Sequence, residues 1–444
     1  MVDRTRDPGD ARLGRRTLLA GTGAALGALA APQIVRAQGK ATLRFWTSQG
    51  APAQLAAWKD IFARFEQANP RFTVAIELFS DDDIWPKLTA GFAAKNLPDL
   101  VSFVQAYTVA TLASNDLLEP FDEVVKAVGE NDFFPAMRDI YKIDGHYVAA
   151  TLNNATSSNL WYRKDLLAGA GVQPPKTWAE QLAAAKALTK DGIFGNSLPY
   201  GRTSFTSTMM VNFVHQAGGM IVNPDGTPGL NSPATVAALE FLNEIFAYAP
   251  PGATNYSWGE VLNSFVTGRA AMAPYTGRPI TIVAEQNPKI LDSISVVPYP
   301  YRAAGHPAFD CPFNSLFIPK GARNVTGAKL LAAALFEKRN YIEFLHTTPG
   351  HILPSLISVS TSPELFALPL MTKFRPEIEL MMQSTAKARN LVKESDASPY
   401  DLKAGDVFNS GALAEMLQDV VVNKVPAKQA AAKAAEKVAG ILKG

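Results

Sequence analysis

Cysteine is nearly missing from this 444-residue chain, with Cys311 alone. One thiol excludes an internal disulfide, and without a CxxC pair or cysteine cluster there is no thiolate framework for a metal. Histidine is scarce as well. His146, His215, His306, His346 and His351 never fall into HxxxH spacing, so no short-range pattern marks a metal centre or a histidine-based catalytic site. Low-complexity tracts are missing apart from an Ala/Lys-rich end, and no repeat recurs at a solenoid period. The apolar run within residues 17–32 is broken by three glycines and a proline and is short for a membrane span. What remains is an ordinary globular composition, 47% hydrophobic and 18% charged, long enough for more than one domain around sizeable cores.

Residues 1–37 differ in character from the rest. "DARLGRRTLLAGTGAALGALAAPQIVRA" has a basic start, an apolar segment and a small-residue end at Val35-Arg36-Ala37, the layout of an export signal removed after translocation. Arg15-Arg16 resembles a twin-arginine signal, with Leu18 where that signal usually has phenylalanine; general secretion is the alternative route. Gly21-Thr22-Gly23 with Gly27 has dinucleotide-loop spacing, but no strand precedes it. Six of the 42 Lys and Arg and three of the 40 Asp and Glu lie in this leader. The remainder carries 36 basic and 37 acidic side chains, and so lacks the electrostatic footprint of a nucleic-acid partner.

After the leader, strand and helix signals alternate. "ATLRFWTS" (41–48) places Leu43 and Phe45 on one side, Arg44 and Trp46 on the other. Leu55, Trp58, Phe62 and Phe65 recur at helical spacing up to Asn69-Pro70, and core packing is the expected role of these aromatics. Val74, Ile76 and Leu78 alternate as a strand, a helix follows over 84–94, and "LVSFV" (100–104) reads as an apolar strand. The order strand, helix, strand, helix, strand predicts a parallel sheet covered by helices. Later, Thr177 with Glu180 and Ser257 with Glu260 form capping boxes, and Ser232-Pro233 starts another helix. Strand-like "AAMAPY", "ISVVPY" and "SLFIPK" come next, and an amphipathic helix after Pro426 closes the chain.

Several of these stretches resemble the extracellular solute-binding proteins of ABC importers, the family similar to maltose-binding protein. "LRFWTSQG" resembles its first strand and "FARFEQANPRFTVAIEL" its first helix and second strand. "DGHYVAATLNNATSSNLWYRKDLLAGAGVQPPKTWAEQLAAAKALT" is similar to its hairpin, crossover and Pro-x-Thr-Trp-x-Glu helix start. "FVTGRAAMAPYTGR" and "FIPKGARN" resemble later segments, so the likeness covers most of 41–345. The resemblance implies an α/β, two-lobed periplasmic-binding fold, each lobe a mainly parallel sheet with flanking helices. Lobe 1 is expected from 41–152 with 306–360, and lobe 2 from 153–305 with 361–444. It also implies a ligand cleft between the lobes, hinge closure, no cofactor, a periplasmic monomer, and delivery to an importer permease in the inner membrane. Where maltose-binding relatives use a late tryptophan, "DVFNSGALAEM" offers only Phe408, which argues against a long oligosaccharide.

Ligands of open α/β sheets sit outside the carboxyl ends of strands. That rule nominates Trp46 and Ser48, Gln105 and Tyr107, Asn153 and Asn154 at the crossover, and Tyr275, Gly277 and Arg278 after "AAMAP". Asp82, Trp258 and Asn314 complete the candidate ligand site. The residue types suit a polyol, because ring faces accept C–H surfaces while amides and guanidinium groups bond hydroxyls. Most have a plainer alternative. Trp46 packs equally well under the first helix, Asn153-Asn154 fits a turn, and Arg278 fits a surface ion pair. Trp58 and Trp178 are expected in the core, Trp85 at a packed helix start, and Asp81–Asp83 at a solvated one. Gly277 would let backbone approach a ligand.

A mono- or disaccharide is the expected ligand. A polyol phosphate or other anion is the alternative, with Arg202 and Arg278 facing one phosphate. An exported glycosidase would need two facing carboxylates. Asp99 and Asp144 read as turn residues, Glu180 and Glu260 already cap helices, and no GxSxG nucleophile motif occurs.

Overall fold

A computed structural model describes residues 40–80, 83–302 and 308–443. The export-signal reading of 1–37 and the nomination of Asp82 lie outside the described residues. Eleven strands are described: β1 Ala41–Thr47, β2 Phe72–Leu78, β3 Leu100–Val104, β4 Lys142–Ile143, β5 His146–Tyr147, β6 Ala150–Asn154, β7 Asn159–Arg163, β8 Met272–Pro274, β9 Ile294–Pro298, β10 Asn314–Phe317 and β11 Leu353–Pro354.

Two sheets organise the molecule, in the orders β11-β6-β10-β3-β1-β2 and β8-β7-β9, with β4-β5 as a separate hairpin. β1 pairs in parallel with β2 and β3. The parallel pattern stops there: β10 runs antiparallel to β3 and β6, β11 antiparallel to β6, and the three strands of the second sheet are antiparallel. Connectivity requires this. β6 runs out of the first sheet and β7 continues away into the second, so β9, which must bring the chain back, runs opposite to β7. β10 re-enters the first sheet against the direction of β6 and β3.

Side-chain alternation on β1 works as read from the sequence. Leu43 and Phe45 are fully buried under the helix Pro52–Ala68. Phe45 meets Trp58 edge-on at 5.2 Å, and Trp58 stacks on Phe344 at 4.5 Å. In lobe 2, Trp178 stacks on Phe241 at 4.7 Å and its indole N–H donates to the Pro300 carbonyl at 2.9 Å. Each such ring contributes about 1.5–3 kcal/mol by burial, with about 0.5–1.5 more from ring pairing.

The tail serves both lobes. The helix Ala404–Asn409 lies against the helix Ala106–Ser114 of lobe 1, so closely that a Cβ on Gly405 would stand 2.5 Å from the Tyr107 carbonyl oxygen. The helices Ala412–Val421 and Ala427–Lys443 pack on the lobe 2 helix Pro233–Ile245.

Asp99, read as a turn residue, is a buried staple: its carboxylate accepts from Arg44 N at 2.9 Å and from Asn324 N at 2.8 Å. Charged acceptors of buried amides are worth more than neutral ones. Asp99→Ala is expected to cost about 2–4 kcal/mol in urea unfolding; a change below about 0.5 kcal/mol would show that these bonds carry no stability.

Candidate functional site

The carboxyl ends of β1, β2 and β3 present Ser48, Leu78 and Gln105 along one edge of the first sheet. Ser48 and Gln105 are half-buried, and the Gln105 side chain has no hydrogen-bond partner among the described residues. Just beyond β2, Trp85 opens the helix Ile84–Ala94 and is 40% exposed beside the equally exposed Leu78. The packed helix start expected of Trp85 is therefore incorrect. With Ile84 and Leu88 filling the buried stripe, position 85 faces outward.

In the second sheet, β8 leads into Tyr275 to Arg278. The helix Trp258–Val266 begins at Ser257, whose amide donates to Glu260 Oε2 at 2.9 Å, and it ends before Gly268 at φ +78°. This fixes Trp258 at the helix start. Its ring stacks on Phe205 with centroids 3.6 Å apart, and Tyr275 meets both rings edge-on while donating to the Trp258 carbonyl at 3.1 Å. Burial pushes the Tyr275 hydroxyl up to about 12, although the Arg278 charge pulls it down. Arg278 is exposed and has no side-chain partner among the described residues. Phe205 was not anticipated; the available signal was its place two residues after the helix cap Thr203.

Other nominated residues lie elsewhere. Trp46 is buried on the polar face of β1, where its indole N–H and the Arg44 guanidinium both bond Glu77, the former at 2.8 Å. It is a structural residue because alternation turns it toward β2 and Lys87, not toward the sheet edge. Tyr107 is buried by the returning tail and stacks on Phe408 at 4.3 Å. Asn153 and Asn154 are fully buried in β6, not in a turn. Asn314 Nδ2 donates to Asn153 Oδ1 at 3.0 Å, while Asn154 Nδ2 donates to Leu353 O and Pro354 O at 3.2 and 3.0 Å. Asn153 Nδ2 and Asn154 Oδ1 have no partner among the described residues. Gly277 does permit close approach, but what approaches is Gly350. Arg202 bonds Gln418 at 3.3 Å and so is already engaged.

Where the chain passes from the first sheet to the second lies a buried polar seam. Ser158 Oγ accepts from Asp310 N at 2.8 Å and donates to Asn212 Oδ1 at 3.0 Å; Thr156 Oγ1 donates to Asp310 O at 2.5 Å. Tyr107 reaches the Asp310 carboxyl at 3.4 Å. Burial pushes that carboxyl up to about 7, partly offset by His215 and the Tyr107 hydroxyl. His215 Nε2 bonds Glu394 Oε2 at 2.6 Å, and the Ile221 and Val222 amides also donate to Glu394, each at 2.7 Å. Burial depresses the imidazole, but the Glu394 bond and charge outweigh it, so its pKa is raised.

The four carboxylates weighed for glycosidase chemistry have structural positions. Asp99 staples two amides, Asp144 sits at φ +50° in the β4–β5 turn, and Glu180 and Glu260 accept from helix-start amides. Among the described residues no three His, Cys, Asp or Glu side chains are grouped to hold a metal, and no helix is long and apolar enough to cross a membrane.

The sequence profile of the bacterial extracellular solute-binding proteins matches residues 50–342. The chain belongs to that family. This solute-binding protein is 24% identical over 395 residues to the putative ABC transporter periplasmic-binding protein YcjN of Escherichia coli K12, covering 86% of this chain and 88% of the relative. Its fold matches a solute-binding protein of Thermotoga lettingae bound to α-D-tagatose, with TM-score 0.77, 24% identity and coverage of 91% and 100%. It also matches maltose-bound MalE3 of T. maritima, with TM-score 0.76, 20% identity and coverage of 90% and 99%. The two-lobed fold is thus that of periplasmic-binding proteins. This is the binding component of an ABC transporter, without enzymatic activity, and its partners are a small-molecule ligand and a membrane permease.

Asp310 and His215 both hold protons more tightly folded than unfolded. Asp310's contribution to stability is fully present below its ordinary value of 3.8 and is lost as pH rises through about 7; that of His215 is present below 6.5 and lost above it. Unfolding free energies from urea titration are therefore expected to fall from pH 5 to pH 8, by at most about 3 kcal/mol from Asp310. Asp310→Asn should flatten most of that slope, and an unchanged slope would rule out Asp310 as its source.

Proposed function

We propose that this solute-binding protein captures a mono- or disaccharide in the cleft between its lobes, closes on it by hinge motion, and hands it unchanged to an inner-membrane importer. In this reading the protein works as a periplasmic monomer after removal of residues 1–37. Closure moves a lobe built on 41–152 with 306–360 against one built on 153–305 with 361–444. The observation that carries the reading is the half-buried Trp258 ring, braced from behind by the buried Phe205 and Tyr275, with the exposed Arg278 guanidinium, unpartnered among the described residues, nearby. One indole near a five-donor fork suits a ring with an apolar face and a polar edge. In this reading Trp85, Ser48 and Gln105, exposed or half-buried at the strand ends of the first sheet, supply the other edge. Tagatose and maltose in the two structural neighbours support a sugar of one or two rings.

Micromolar affinity requires about −8 kcal/mol. Ring stacking at about 0.5–1.5 kcal/mol beyond buried area, together with several paired hydroxyls, reaches it. Closure is favoured because only the closed form makes both sets of contacts. Arg278 also supports a second reading, an anionic polyol phosphate, since a guanidinium without a carboxylate partner is available to an anion. The engagement of Arg202 with Gln418 weakens the two-arginine version of that reading.

A thermal-shift panel of sugars, polyols and glycerol phosphate on the chain lacking residues 1–37 tests the proposal. The expected outcome is a rise in melting temperature with a mono- or disaccharide. Trp258→Ala should then weaken binding about tenfold, equivalent to about 1.4 kcal/mol. Arg278→Ala should weaken a neutral sugar modestly. A shift with glycerol phosphate alone, abolished by Arg278→Ala, would replace the sugar reading with the anionic one.

A further inference from the structure

The two lobes touch at a point where neither backbone leaves room for a side chain. The turn after β8 belongs to lobe 2, and the loop before β11 belongs to lobe 1. A Cβ on Gly277 would stand 1.7 Å from the Gly350 carbonyl oxygen and 3.0 Å from Met381 Cε. A Cβ on Gly350, itself at φ +75°, would stand 2.6 Å from Ile280 Cδ1. The Gly277 contact is to backbone and cannot be relieved by rotating a side chain, while at Gly350 the positive φ favours glycine and Ile280 would have to shift to admit a Cβ.

Hydrogen bonds hold both flanks. Thr276 Oγ1 and His351 Nδ1 are 2.9 Å apart, linking the lobes directly. On the lobe 2 side, the Trp161 indole N–H donates to the Thr276 carbonyl at 2.7 Å. On the lobe 1 side, His351 N donates to Thr348 O at 3.0 Å, and Gln54 Nε2 reaches Thr348 Oγ1 at 3.5 Å. Gln54 also bonds Gln49, whose amide nitrogen donates to Ser48 Oγ at 3.3 Å. An unbroken chain thus runs from Ser48, on the cleft edge of lobe 1, to the turn carrying Arg278. Burial and the Arg278 charge push the His351 imidazole down to about 3, so the ring bonding Thr276 is neutral at working pH.

The contact sits beside the crossover. Gly350 lies three residues before Leu353, which pairs with Asn154 at the end of β6; Gly277 lies three residues after Pro274, which pairs with Leu160 near the start of β7. Sliding one lobe over the other here would drive backbone into backbone, whereas rotation about the contact leaves it intact.

We propose that the Gly277–Gly350 contact, latched by Thr276 and His351, is the fulcrum on which the lobes turn, placing the Arg278 turn in register with the Ser48 edge. This deepens the solute-capture reading and rests on its hinge motion. The test needs no ligand. Spin labels on Lys95→Cys in lobe 1 and Lys186→Cys in lobe 2, both exposed positions, report the interlobe distance in the chain lacking residues 1–37. Gly277→Ala is expected to lengthen that distance with helix content unchanged. His351→Leu should broaden the distribution, and His351→Asn, which keeps a polar atom near the Nδ1 position, should narrow it again. If Gly277→Ala does not fold, Ile280→Ala takes its place and should broaden the distribution by loosening the socket around Gly350. Distributions identical to the parent in the folded variants would overturn the fulcrum. Failure of every sugar to bind would leave it standing, because the distances are read without sugar.

Discussion

The architecture depends on how the chain crosses between its lobes. Residues 155–158 and 309–312 run side by side, with 155–158, Asp310 and Cys311 buried and no sheet of their own to satisfy their backbones. The Ser158 hydroxyl takes the Asp310 amide, and Thr156 takes the Asp310 carbonyl. A third segment joins them: Cys311 N donates to Arg389 O, Arg389 N to Phe309 O, and Asn390 Nδ2 to Cys311 O. Buried amides and carbonyls without partners cost far more than bonded ones gain, so these short side chains let three strands of backbone pass through an interior. Replacing Ser158 by an apolar residue of similar size would strand the Asp310 amide on the returning segment and Asn212 Oδ1 on the helix Ser204–Gln216.

That constraint accounts for the strand directions and the site together. A chain that leaves one sheet and must return to it builds antiparallel partners at the boundary, and the ends of those strands converge on the crossover. Tyr275 and Arg278 arrive there from β8, and Ser48 and Gln105 from β1 and β3. The seam is buried and polar, with Glu394 gathering His215 and two amides, while Trp85 and Arg278 stay exposed. The proposed capture site uses that division: a pre-ordered base, and rims whose contacts are completed only by a guest.

Local structure was legible in the sequence because local chemistry determines it. The helix starts at Thr177, Ser232 and Ser257, the stop at Gly268 and the two faces of β1 all follow from spacing of a few residues. Exposure at the site was less legible. Trp46 and Tyr107 follow the strand-end rule yet are buried, one by Glu77 on the neighbouring strand and the other by Phe408, about three hundred residues away. Nothing near Tyr107 in the chain announces that a tail helix will cover it. Trp85 errs in the opposite direction, since only its neighbours' claim on the buried stripe leaves it outside. Gly277 reads as a place where backbone approaches a ligand; the group that approaches is a second glycine, Gly350, a purely tertiary fact.

The central claim is that a small solute is held between the lobes and draws them together. Small-angle X-ray scattering of the chain lacking residues 1–37, with and without a saturating concentration of the sugar found to raise its melting temperature, tests it most directly. The account predicts a smaller radius of gyration in the bound state, with a scattering curve that fits a more closed pair of lobes. A bound sugar that leaves the radius and the curve unchanged would contradict it.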